Sequence, residues 1–260
     1  MGRNDSVPGM MRLMLASILL VPTPGTPAQA FDLPVDEMAA QFVASNMVST
    51  FYHELGHAMI DVLGLPVLGR EEDAADTLST LLIHSVWEED SAVAMVYDTA
   101  NAFLMYAAEA ETTGAEIAYW GEHSLDMQRY YNLVCLFYGA NPDERGDIAR
   151  ELELPEDRAE RCPEEFLLAE ESWGRLLADL APGPRSKGLR MMDADPDDPL
   201  VALIAEEVTA LNQVYGFPVW IDVRVEPCGE ANAFYDPWES TITMCTEYAE
   251  DLQRIWLINK

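Results

Sequence analysis

Two short stretches concentrate the chemistry available to this chain: His53-Glu54-Leu55-Gly56-His57 and the acidic run Glu71-Glu72-Asp73-Ala74-Ala75-Asp76. Residues four apart on a helix lie on one face, one turn apart. His53 and His57 can therefore present two imidazole nitrogens to one Zn²⁺, a tetrahedral ion that takes nitrogen ligands. Glu54 sits at the edge of the same face. From there its carboxylate can reach a water whose pKa the ion lowers to about 7, and take the proton as that water attacks a carbonyl. This is the equipment of metal-assisted hydrolysis. It needs a third ligand from a following segment, and Glu71, Glu72, Asp73 and Asp76 are all close; Glu72 and Asp76 share a helix face.

The elements that must position these residues are legible around them. Phe42, Val43, Met47, Phe51, Leu55, Met59 and Leu63 recur near helical spacing, so a helix carries the pentapeptide. Gly64 and Pro66 end it, and Gly56, without a side chain, lets another element approach it closely. Residues 64–69 read as a turn, after which helical periodicity resumes from Arg70 to Trp87. Helices are expected over 91–108, 115–138 and from Pro163 to Leu180. Residues 181–199, rich in proline, glycine and aspartate, read as a linker. A helix over 199–215 follows, and then the period changes to two, with Asp236-Pro237 near the turn of a β-hairpin. The expected fold class is α+β, predominantly helical, with a small C-terminal hairpin or sheet. A single domain over 31–260 would comprise a helical part (36–180), the linker, and a C-terminal helix and hairpin (200–260).

Residues 1–30 read as a signal peptide. Arg12 precedes an apolar run from Leu13 to Val21, too short to span a bilayer, and Ala28-Gln29-Ala30 is a small-residue cleavage site. The expected location is periplasmic or secreted, with no membrane span in the mature chain. Four cysteines agree with export. Cys228 and Cys245 flank the hairpin and would pair, leaving Cys135 with Cys162; no C-x-x-C spacing favours a cysteine zinc site. Fifteen basic residues against 46 acidic ones give a net charge of −31. Phosphate backbones would be repelled, which excludes nucleic acid as a partner; a cationic partner, or a salty habitat, is compatible with that field. His123 lies in a polar cluster with Glu122, Asp126 and Arg129. It is a candidate catalytic donor to the oxyanion of an attacked carbonyl, as are Tyr130, Tyr131 and Tyr235. His84, on the apolar second helix, reads as a core residue.

The segment from Glu72 to Asp76 looks like the E-x-x-A-D signature of the integral-membrane gluzincin peptidases that process prenylated proteins. That resemblance implies Glu72 as the third zinc ligand and Asp76 as the carboxylate supporting a zinc-bound histidine. Asp76 as direct ligand is the competing assignment; Glu71 and Asp73 are read as a solvated acidic helix start. More widely, the chain resembles a family of bacterial metallopeptidases otherwise catalogued as a domain of unknown function. The resemblance rests on FYHELGHAMIDVLGLPVLGREEDAADTLSTLL, GEHSLDMQRYYNLVCLFYGANP, LPEDRAERCPEEF and PCGEANAFYDPWESTITMCTEYAEDL, in order from about Phe42 to Leu252. One departure is Thr246, where the family pattern carries an aromatic. The resemblance implies a metallopeptidase and brings no substrate with it; together with the motifs above, the expected reading is a zincin-like peptidase that holds one zinc per chain and acts on a protein or peptide. Asn232-Ala233-Phe234 looks like the edge strand of the membrane gluzincins, so residues Asn232, Ala233, Phe234 and Tyr235 are expected to bind substrate, with the hairpin packed near His53 and His57. Two other readings of the motifs are a zinc-binding module without activity and a zinc amidohydrolase acting on a cell-wall peptide. An intact Glu54 argues against the first, since structural zinc needs no base.

Overall fold

Helix α1, Glu37–Leu63, is the element around which the others are arranged. Its apolar residues run round the whole circumference, and Phe42, Val43, Met47, Phe51, Leu55 and Met59 are all fully buried. A helix apolar on every side is one enclosed by protein rather than lying at a surface. Asp36 caps its start by accepting from the Met38 N–H at 3.1 Å. Gly64, at φ 61°, ends it in the left-handed conformation, and the Leu65 N–H returns to the Ile60 carbonyl at 2.9 Å.

The structure, a computed structural model, describes residues 36–192 and 195–260; the expected signal segment 1–30 lies outside them. Among the described residues there are nine helices and four strands. After α1 come α2 (Glu71–Val86), α3 (Glu89–Thr113), α4 (Asp126–Ala140), α5 (Gly146–Glu151), α6 (Glu156–Ala159) and α7 (Cys162–Ala178). Then follow β1 (Leu189–Met191), α8 (Pro199–Val214), β2 (Ile221–Glu226), β3 (Ala233–Asp236), β4 (Thr241–Cys245) and α9 (Thr246–Asn259). The protein is thus α+β and predominantly helical. Helices α2, α3, α8 and α9 all pack on α1, and so do β3 and β4.

The sheet is larger than the hairpin expected from sequence. Its order is β1-β2-β4-β3. β1 and β2 are parallel and joined through α8; β2 is also parallel to β4, and only β3 and β4 form the antiparallel hairpin. β1 lies inside the stretch 181–199 that composition marks as a linker. Three residues are too few to show a period of two, and β1 is held by its register against Ile221–Val223 rather than by its own pattern. β4 is buried along its whole length, as befits a strand covered on both faces. β3 is an edge strand with only β4 beside it.

The helix expected over 115–138 begins only at Asp126. Gly114, at φ 66°, closes α3, and residues 115–125 form a loop in which Ile117, Tyr119 and Trp120 are exposed. Without a core face to bury, the apolar residues of this segment cannot hold it helical. Cys135 is bonded to Cys162, tying α4 to the start of α7, and Cys228 to Cys245, tying the segment after β2 to the end of β4. No helix among the described residues is long and apolar enough to cross a membrane.

Candidate metal centre

The site depends first on how closely α2 approaches α1. A Cβ on Gly56 would stand 2.8 Å from the Ala75 Cα and 3.0 Å from its Cβ. The two helices therefore touch backbone to backbone at this point, antiparallel, and the contact sets Glu71, Glu72 and Asp76 opposite the histidines.

Glu72 Oε2 lies 3.1 Å from His53 Nε2 and 3.2 Å from His57 Nε2, and the two Nε2 atoms are 3.2 Å apart. The other nitrogen of each ring is engaged. His53 Nδ1 donates to Asp76 Oδ1 at 2.8 Å, and His57 Nδ1 to Glu71 Oε1 at 2.8 Å. With Nδ1 carrying the proton, each Nε2 presents a lone pair. Two imidazole lone pairs and a carboxylate oxygen thus converge, and such a set is stable only around positive charge. Ligands on a tetrahedral zinc with bonds of about 2.0–2.1 Å stand roughly 3.3–3.4 Å from one another, so the spacing fits that ion. Burial alone would lower the His53 pKa, but hydrogen bonds to Asp76 and Glu72 outweigh it and raise the value to about 9. Burial likewise opposes the rise at His57, and hydrogen bonds to Glu72 and Glu71 overcome it.

Asp76 is held in turn by Arg129 of α4, whose Nε and Nη2 donate to its two oxygens at 2.8 and 2.7 Å. The guanidinium lies over the Phe103 ring, 4.6 Å from its centroid. Burial would raise the Asp76 pKa, but the hydrogen bonds from His53 and Arg129 hold it well below the usual carboxylate range. Asp76 is thus bonded to both His53 and Arg129, while Glu71, exposed as expected, is bonded to His57. Asp73, also expected to be solvated, accepts from Ser124 Oγ at 2.7 Å.

Glu54 is 6 % exposed and faces the cleft. Burial pushes its pKa up, against the pull of His53 and His57. Among the described residues it has no hydrogen-bond partner, so its lone pairs are free for a proton. His123 stands on the open side, half-exposed, with Nε2 2.8 Å from Glu72 Oε2 and its ring stacked on His53 at 5.8 Å. Its loop is pinned from below: Arg70 Nη1 donates to the His123 carbonyl at 3.0 Å.

A cleft of ≈ 1130 Å³ opens over these groups, and Asn232, Ala233, Phe234 and Tyr235 form part of its wall. The Tyr235 hydroxyl donates to Asp61 Oδ2 at 2.7 Å, linking β3 to α1. Tyr130 turns elsewhere, donating to the Leu152 carbonyl at 2.8 Å, and neither it nor Tyr131 lines the cleft. His84 is remote, with Nδ1 3.1 Å from the buried Arg145 and its ring against Phe166. Residues that sequence reasoning missed are Glu71, Arg129 as the partner of Asp76, and Tyr248. The last lines the cleft from α9 and accepts from Thr50 Oγ1 at 3.2 Å.

Paired imidazoles and a carboxylate form a donor set that could hold a metal ion, with an unpaired glutamate beside it. The family described as "Putative metallopeptidase" matches residues 28–177 and 200–259, and the chain belongs to it. Membership implies a metal ion and a protein or peptide substrate. No curated protein and no solved structure matches the chain.

Proposed function

We propose that this protein is a zinc peptidase that hydrolyses peptide bonds of proteins or peptides outside the cytoplasm. The observation that carries the reading is the convergence of His53 Nε2, His57 Nε2 and Glu72 Oε2 within 3.1–3.2 Å while both Nδ1 atoms are bound by carboxylates. Those three residues would hold the ion, with Asp76 and Glu71 fixing the ring tautomers. Zinc, when bound, supplies a Lewis acid that polarises a carbonyl and makes water acidic at neutral pH.

The remaining work falls to the chain's own side chains. Glu54, buried and unpaired, takes the proton of the attacking water and passes it to the departing amine. His123 Nε2 donates to the oxygen that becomes negative on the attacked carbonyl. The free edge of β3, residues 233–236, takes the substrate backbone by strand addition, which supplies main-chain hydrogen bonds whatever the sequence. Export is supported by the signal-like residues 1–30 and by two disulfides, which persist in oxidising compartments.

The test is metal content by elemental mass spectrometry together with cleavage of casein and peptide libraries. About one zinc per chain is expected, lost in Glu72→Ala. Glu54→Gln should keep the metal and lose about 10²–10⁴-fold in turnover. Near-wild-type turnover in that variant refutes the role of Glu54, and a protein that takes up no zinc refutes the reading.

A further inference from the structure

Glu72 Oε2 has a third imidazole beside it. His123 Nε2 stands 2.8 Å away, where the Nε2 atoms of His53 and His57 stand at 3.1 and 3.2 Å. Ligand nitrogens of His53 and His123 and the Glu72 oxygen all lie within 4.8 Å of one another. The His123 ring is stacked on that of His53, with centroids 5.8 Å apart and 20° between the planes. Three nitrogens and one oxygen therefore gather at one place. An opening of about 0.5 Å between His123 and Glu72 would give the ligand spacing of a tetrahedral zinc.

His123 reaches this place on a loop that little else holds. None of residues 115–125 is buried. Two hydrogen bonds tie the loop to the start of α2, the helix that carries Glu72. Arg70 Nη1 donates to the His123 carbonyl at 3.0 Å, and Ser124 Oγ to Asp73 Oδ1 at 2.7 Å. These bonds set His123 with respect to Glu72. Without a buried apolar anchor, however, the loop can open at low cost, as segments poor in buried contacts do.

A catalytic zinc keeps three protein ligands and leaves its fourth position to water, whereas four protein ligands close the site. We propose that His123 is the fourth protein ligand of the resting metal centre, and that residues 115–125 form a strap that must withdraw before water and substrate reach the ion. The proposal rests on the peptidase reading above and adds regulation to it. The donor role of His123 belongs to the withdrawn state. A single ring nitrogen cannot offer a lone pair and an N–H at once. Once withdrawn, Nε2 takes a proton from solvent and can donate it in a hydrogen bond to the carbonyl oxygen. Ligand and donor are thus successive states of one side chain.

The experiment counts imidazole ligands by X-ray absorption on the zinc-loaded full chain, and measures azide binding to the cobalt-substituted protein, each with His123→Gln alongside. Glutamine keeps an N–H that can donate to Glu72 but is a poor zinc ligand, so it separates ligation from hydrogen bonding alone. Three imidazoles are expected in the wild type, from His53, His57 and His123, and two in the variant. Azide needs the fourth position. If the strap covers that position in most molecules, the variant should bind azide at least about tenfold more tightly. Two imidazoles in the wild type, or equal azide affinity in the two proteins, overturns the proposal and leaves the peptidase reading intact. Should the variant hold no metal, the wild-type count decides alone. A wild-type chain that takes up no zinc overturns the peptidase reading and the proposal with it.

Discussion

Replacing Gly56 by alanine tests whether the close approach of α1 and α2 builds the metal centre. The new methyl would stand 2.8 Å from the Ala75 Cα and 3.0 Å from its Cβ, and the nearer obstacle is backbone, which cannot swing aside. Carbon atoms rest comfortably at about 3.5–4.0 Å, so α2 must retreat by about 0.7–1.2 Å. Glu72 and Asp76 ride on that helix. The Asp76–His53 hydrogen bond, 2.8 Å in the native protein, would stretch to about 3.5 Å, the limit of such a bond. Metal sites tolerate ligand shifts of only about 0.2 Å. The loss of an orienting carboxylate alone typically costs 10–100-fold in metal affinity, and displacement of Glu72 adds to it. Overpacking should cost about 1–3 kcal/mol of stability, a fall of several degrees in melting temperature. The assay is a zinc titration against a chromophoric chelator, paired with thermal melting of the metal-free protein by circular dichroism. Gly139→Ala is the control: its Cβ would meet the Cys162 carbonyl oxygen at 2.3 Å, away from the site, so it should destabilise the fold yet leave zinc affinity unchanged in the folded fraction. A Gly56→Ala protein with native affinity and stability would refute the reasoning.

Zinc uptake should release protons. His53 keeps its proton up to a pKa of about 9 in the metal-free protein, and His57 is raised as well. Between pH 6 and about 8, binding should expel roughly one to two protons and strengthen as pH rises; calorimetry in buffers of different ionisation heat would show it, and a buffer-independent heat would count against the assigned protonation. Arg129→Met leaves Asp76 beside His53 without its cation. Zinc affinity should fall by about 10–100-fold, and an unchanged value would mean that Arg129 serves only packing. Burying Arg145 against Glu89 predicts an acid-sensitive contact. Hydrogen bonds from Arg145 lower the Glu89 pKa, so its stabilisation is full above the unfolded value of about 4.3 and lost as pH falls through the folded one. The melting-temperature gap between wild type and Glu89→Gln should therefore close as the pH is lowered from 6 to 3; a gap independent of pH would contradict the ion pair.

The groups that could be read from the chain are those whose geometry is local. His53, Glu54 and His57 share a helix whose period is visible in its neighbours, and Gly56 announces a close contact without naming Ala75. Glu71 could not be read, because an acidic residue opening a helix has a sufficient local reason to be there. Its hydrogen bond to His57 depends on the rotation of α2 against α1. Arg129 lies 53 positions from Asp76, and only the folded path of α4 joins them. The apolar residues of 115–125 mimic a helix because sequence periodicity does not reveal whether a core exists to receive them. β1 is specified by its partner rather than by itself, so the four-stranded sheet looked like a hairpin.

The polar residues of α1 carry the most information, because a helix enclosed on all sides must account for each of them. Ser45 is matched by Asp98 at 2.7 Å, and Ser49 is joined to Ser79 through contacts of 3.3 and 2.7 Å. His53 is matched by Asp76. Glu54 and the oxygen of Asn46 have no protein partner among the described residues, and both residues line the cleft. Among the unpaired buried atoms of the described residues, Trp256 Nε1 packs with its ring against Phe42, and Trp256 does not line the cleft. Folding thus pairs the polar groups of the central helix where it meets other helices and leaves these two without a protein partner at the cleft. Such unpaired groups lower stability, and proteins tolerate that cost chiefly at functional sites, where a ligand completes what the fold does not.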